Sequence, residues 1–258
     1  MKHTRKLKRR RKRRLKNGFK ILLLAVPVIT ALVLIVIFGF KIKTVTVSMD
    51  LNQFTQEEVK KYLDNKGIDN SLIFWFENKV GISEDLDLFE EYSVKLLSPS
   101  KIRIEAYERK LKGCINDNNM YCYFGQNATV LKISSQKLKG IPNVKGLKYS
   151  KISLYKKIEA ENDKTLTSLL TVLNAIEEYD FNVKRIDIND AAETSLYMEK
   201  IRVDLGKKTN LDKKLKDLND MHDKIIIYDG VLNMKHASED GRYTITKNES
   251  KPKNSSKQ

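Results

Sequence analysis

The chain has little of what most enzymes use. Its 258 residues include three histidines, two cysteines, four prolines and one tryptophan. Cys114 and Cys122 have no histidine near them, which excludes the usual Cys/His spacings of a zinc site. No phosphate-cradling glycine loop and no G-x-S-x-G nucleophile turn occur. A Ser-x-x-Lys pattern appears at Ser98–Lys101, Ser134–Lys137 and Ser250–Lys253, as chance gives in a Ser- and Lys-rich chain, and its companion motifs are missing. Of His3, His222 and His236, His222 continues the apolar stripe Leu211, Leu215, Leu218 and reads as packing. No catalytic, cofactor-binding or metal-binding residue is assigned, and the chain reads as a non-enzyme. Three sequons, at Asn127, Asn248 and Asn254, read as coincidence.

Acidic residues are absent from positions 1–20, which hold twelve Lys and Arg. Removing those twelve from the total of 49 leaves 37 basic residues against 33 acids, so the net charge of +16 falls to about +4 for the rest. The basic run reads as a disordered cytoplasmic tail and orientation signal, with lipid or nucleic-acid contact as alternatives. Behind it, Ile21–Phe40 runs 20 residues without a charge. A helix of that length is about 30 Å long, the thickness of a bilayer core, so a single transmembrane helix is expected over 21–40. The charge asymmetry puts the N-terminus in the cytoplasm and residues 41–258 outside. The run ends Phe38-Gly39-Phe40-Lys41 without a small-x-small site, so a cleaved signal peptide is not expected.

Beyond the span the pattern is α+β. Ile42–Val47 alternates as a strand. Thr55-Gln56-Glu57-Glu58 is a capping box opening a helix to about Asn65, with Val59, Tyr62 and Leu63 inward and Gly67 ending it. Leu72–Phe76 is an apolar cluster carrying Trp75, read as core packing or an interfacial anchor, and a short helix is expected over Ile82–Glu91. Tyr92–Leu97 and Lys101–Glu108 form a hairpin through Ser98-Pro99-Ser100. The order is β-α-α-β-β. From 110 onward strands are expected at 113–116, 120–124, 129–133, 183–188, 195–198, 200–205, Ile225–Tyr228 and Val231–Lys235. An amphipathic helix spans Asp163–Tyr179, and another, capped by Asn210, carries Leu211–Leu218. From about Ala237 the sequence is polar and reads as a disordered tail. A hairpin centred near Asn118 places Cys114 and Cys122 opposite each other; a disulfide and two free thiols both fit.

Several local motifs, in this order, resemble the FtsQ/DivIB family of bacterial divisome proteins. Ile42–Val47 with Thr55-Gln56-Glu57-Glu58-Val59 is similar to the start of that family's POTRA domain. Lys101–Arg109, ending Glu-Arg, is similar to its closing strand. Ile141-Pro142-Asn143-Val144-Lys145-Gly146 resembles its Leu-Pro-x-x-x-Gly, and Ile201–Gly206 followed by Leu211–Leu215 its strand-Gly-helix. Leu111, Phe124–Ala128 and Asn233 depart from the pattern. The resemblance implies one span, a POTRA domain over 41–109, a mixed β domain with helices packed on its sheet over 110–236, and a tail over 237–258. It implies a bitopic scaffold at the division septum, without cofactor, that binds FtsL-like and FtsB/DivIC-like proteins and helps regulate septal peptidoglycan synthases.

A strand followed only by tail leaves an open sheet edge, which a partner strand can extend. Val231, Leu232, Asn233, Met234, Lys235 and His236 are therefore the expected partner-binding residues. A membrane-anchored envelope enzyme and a protein acting through its basic tail are the other classes the sequence allows.

Overall fold

The computed structural model describes residues 25–236 and 242–247. The basic run 1–20, Ile21–Leu24 and most of the expected tail lie outside the described residues. The first helix, α1, covers 25–39. At about 1.5 Å per residue these described residues span about 22 Å. Among the described residues no helix is long and apolar enough to cross a membrane, so the expected transmembrane helix over 21–40 is corrected to this shorter one.

The chain divides into two units, Met1–Glu108 and Arg109–Gln258. In the first, β1 (Thr44–Met49), α2 (Gln56–Asn65), α3 (Ser71–Val80), β2 (Phe89–Ser98) and β3 (Lys101–Glu108) follow in sequence. The sheet order is β1-β3-β2, with β1 parallel and β2 antiparallel to β3. The capping box forms: Thr55 Oγ accepts from the Glu58 N–H at 3.2 Å, and Glu58 Oε2 accepts from the Thr55 N–H at 2.8 Å. Val59, Tyr62 and Leu63 bury against the unit's core, as do Val45, Ile102 and Ile104 from the strands. The second helix differs from expectation. It is the Leu72–Phe76 cluster that becomes helical, because Asn70 caps it, its Oδ1 accepting from Leu72 and Ile73 N–H at 3.1 Å each. Residues 82–88 contain no helix, and β2 begins at Phe89.

The second unit is a nine-stranded sheet in the order β12-β11-β10-β9-β8-β7-β4-β5-β6. Its strands are β4 (Gly113–Asp117), β5 (Met120–Phe124), β6 (Val130–Ser134), β7 (Asn143–Lys145), β8 (Arg185–Ile188), β9 (Thr194–Tyr197), β10 (Ile201–Gly206), β11 (Gly230–Asn233) and β12 (Thr244–Lys247). Helices α4 (Asp163–Glu178) and α5 (Leu211–Ile225) share one apolar core with the sheet, Leu169, Val172 and Leu173 of α4 and Leu215 and Leu218 of α5 meeting Val144, Ile186, Leu196 and Val203. The cap of α4 is Asn162, whose side chain accepts from the Lys164 and Thr165 N–H. Ile225 ends α5 and does not open a strand. At the centre, Gly146 follows β7 with φ +85°, and a Cβ there would stand 2.1 Å from the Ile188 carbonyl oxygen, so only glycine fits.

The cysteines are free, and both are buried. Asn118 and Asn119 take φ of 48° and 63°, the left-handed pair of a two-residue type I′ turn. That turn pairs Cys114 with Tyr123 and Ile115 with Cys122. The expected pairing is off by one residue, and one residue in a strand reverses the side-chain direction. Cys122 therefore joins the helix-side core, whereas Cys114 lies on the other face with its Sγ 3.8 Å from Asn143 Oδ1. The disulfide that the sequence allowed is excluded by this register.

Candidate partner-binding edge

The residues expected to form an open edge are brought together, but not at an edge. Val231, Leu232 and Asn233 lie in β11, which pairs parallel with β10 and antiparallel with β12. Both sides of β11 are thus occupied. Met234 is buried and its N–H donates to the Asp204 carbonyl at 2.8 Å. The Lys235 carbonyl accepts from the buried Lys214 ammonium at 3.2 Å, and Asn233, Lys235 and His236 are exposed. Val231–His236 as a free edge is corrected accordingly.

The strand that covers it is β12, in the stretch expected to be tail. Its register is Gly230↔Lys247, Val231↔Thr246, Leu232↔Ile245 and Asn233↔Thr244. Tyr243 and Ile245 alternate inward and pack on the core, while Thr244, Thr246 and Lys247 are exposed. Two β-branched threonines flanking an isoleucine favour this pleated, half-buried setting. That alternation was the available signal, hidden by the polar residues on both sides. Tyr243 is held further by its hydroxyl, which donates to Asp217 Oδ2 at 2.6 Å; burial first, then that carboxylate, push its pKa up to about 12. The β12 pairing is close: a Cβ at Gly230 would stand 2.3 Å from the Thr246 carbonyl oxygen.

The sheet ends on β12 and β6. At β6, the Val130 N–H donates to the Lys156 carbonyl at 3.0 Å and its carbonyl accepts from the Tyr155 N–H at 2.7 Å, so a loop occupies that border. Among the described residues no strand covers the outer side of β12. In the first unit the long outer strand β2 is broken by two register shifts, the kind of irregularity that discourages edge pairing. Among the described residues the outer strands with an unbroken register are β1 in the first unit and β12 in the second, and β12 is the one that borders the cavity described next.

Beside the start of β12 lies a cavity of about 610 Å³, lined by Glu193, Lys207, Lys213, Lys214, Lys235, His236 and Tyr243 among others. Lys214 Nζ donates to the Leu205 carbonyl at 2.7 Å as well as to Lys235, and burial pushes its pKa down. Lys235 Nζ stands 3.9 Å from Glu193 Oε2. Lysines thus outnumber acids around the cavity, and α5 begins there with a cap, Asn210, that makes no side-chain capping bond. The arrangement suits an extended segment bonded through its backbone with an acidic side chain close by. It offers no nucleophile–base pair. Among the described residues no group of three or more His, Cys, Asp or Glu is gathered as a metal site. His222 packs its ring 5.2 Å from Phe181. No protein-family model matches the chain, and no curated protein does either.

Proposed function

We propose that the protein is a non-enzymatic scaffold of the bacterial division machinery, of the FtsQ/DivIB kind, acting at the cell membrane of the septum. Its second unit binds an FtsL-like or FtsB/DivIC-like partner, and through it influences septal peptidoglycan synthases. The β-α-α-β-β order of the first unit and the sheet-and-helix build of the second support this reading. The observation that carries it is β12: an edge strand, four residues long, that no other described strand covers, beside a lysine-lined cavity. A partner strand adding there gains backbone hydrogen bonds worth about 0.5–1.5 kcal/mol each, and an acidic side chain reaches the lysines.

The test is a pull-down of the partner by two truncations. A chain ending at Asn248 keeps β12 and retains binding. A chain ending at His236 loses β12 and loses binding, while circular dichroism reports the same helix content. Equal capture by both chains would refute docking on β12.

A further inference from the structure

Helix α3 is apolar beyond what its unit buries. Of its ten residues only Ser71 and Phe74 are fully buried. Ile73, Phe76 and Val80 lie on one side at helical spacing and are 47%, 53% and 50% exposed, with Ile82 just beyond at 69%. Trp75 lies half-buried on the neighbouring flank of the helix, with Lys79 Nζ 5.0 Å from its ring centroid. An apolar stripe of this kind, bordered by a cation, marks a surface that meets something apolar.

What it meets is indicated by α1. That helix exposes apolar side chains along its whole length, from Val26 to Phe38. Its C-terminal end is tied to the beginning of α3. Asn70 caps α3 through Oδ1 while its Nδ2 donates to the Val36 carbonyl at 2.7 Å. The Ser71 N–H donates to the Phe40 carbonyl at 2.7 Å, and the Ser71 hydroxyl donates to the Pro99 carbonyl at 2.5 Å with the Phe40 oxygen 3.1 Å away. The two helices therefore share one junction, and the stripe of α3 starts where the apolar surface of α1 stops. Lys41 and Lys43 are exposed at that junction, and the twelve cations of residues 1–20 precede α1. Apolar surface bordered by cations matches the boundary between acyl chains and anionic headgroups.

We infer that α3 lies on an anionic lipid surface, with Ile73, Phe76 and Val80 dipping into the acyl boundary and Lys79 at the headgroups. The first unit is thereby held against the lipid by a second contact in addition to α1. The inference stands apart from partner docking on β12 and needs no helix that crosses a bilayer.

Trp75 is the only tryptophan, so its fluorescence reports this site alone. The full chain is mixed with vesicles of equal parts phosphatidylcholine and phosphatidylglycerol whose acyl chains are brominated near the headgroup. The expected result is a blue shift in unbrominated vesicles and loss of most of the Trp75 intensity in brominated ones. Phe76→Asp and, separately, Ile73→Asp should restore the intensity while flotation shows the chain still bound through α1. Vesicle-bound protein whose Trp75 emission ignores bromine would overturn the inference. So would quenching that both Asp variants leave unchanged, or a stripe covered by a second copy, seen as a Trp75 blue shift that tracks protein concentration without lipid.

Discussion

Gly230 is the point where β12 can be detached without disturbing the rest of the sheet. Its φ lies outside the left-handed region, so alanine adopts the same backbone. The obstacle is β12 alone: the new methyl would stand 2.3 Å from the Thr246 oxygen and 3.0 Å from the Lys247 Cα. A carbon and a carbonyl oxygen approach no closer than about 3.3 Å comfortably, so β12 must retreat by about 1 Å. A ladder bond of about 2.9 Å stretched by that amount is no longer a hydrogen bond. The strand has little in reserve. Fixing each of its residues costs about 1–2 kcal/mol, and each bond returns about 0.5–1.5 kcal/mol, so Tyr243 and Ile245 packing decides whether it stays. Gly230→Ala should therefore release β12. By hydrogen exchange read by mass spectrometry, protection of residues 244–247 should fall about tenfold or more, equivalent to about 1.4 kcal/mol. The amides of β9 and β10 should keep theirs, and partner capture should weaken as it does for the chain ending at His236. A folded Gly230→Ala protein with undiminished protection at 244–247 would refute the reasoning.

Two further outcomes follow from buried titratable groups. Burial pushes the Cys114 thiol up to about 11 and raises Cys122 as well, so native protein at neutral pH should resist iodoacetamide at both positions and form no intramolecular disulfide under mild oxidation, whereas denatured protein should be alkylated twice, as counted by mass spectrometry. Glu108 accepts Gln53 and Phe54 N–H at 2.9 and 3.0 Å through Oε1; burial, reinforced by Asp50, raises its pKa above its ordinary value. The folded state then holds the proton more tightly than the unfolded one, so this site favours folding below the unfolded pKa and loses that contribution as pH rises through the folded value. Urea midpoints read by Trp75 fluorescence should fall across that window, and Glu108→Gln should remove the dependence.

Much of the local structure was readable because local rules governed it. The Thr55–Glu58 capping box, the alternation of Lys101–Glu108 and the helical spacing of Leu166, Leu169 and Leu173 each depend on residues within a turn or two. What escaped depended on one-residue choices or on distant partners. Shifting the Asn118-Asn119 turn by a single position sent Cys114 and Cys122 to opposite faces. Asn70 stands before the Leu72–Phe76 cluster as a cap, but the cluster's all-round hydrophobicity concealed a helix with one buried and one exposed side. β12 consists of four residues in polar sequence, and its stability comes from β11 and from Tyr243 packing beside α5. Of the 21–40 run, the described helix covers 25–39.

The position of β7 bears on how the second unit assembles. Among the described residues this strand of three residues alone bridges β4 and β8, and it runs parallel to both. Parallel neighbours cannot be joined by a tight turn, and here the whole of α4 intervenes between β7 and β8. The β4-β5-β6 meander and the β8-β9-β10 meander are each local and can form early. Their union waits on a long loop closure around one short strand, so the late, slow step of folding should be the insertion of Val144 between Ile115 and Ile186. Until it occurs, each half carries a raw inner border that can pair with another molecule, which makes the seam at β7 the place where a newly made chain is most exposed to aggregation.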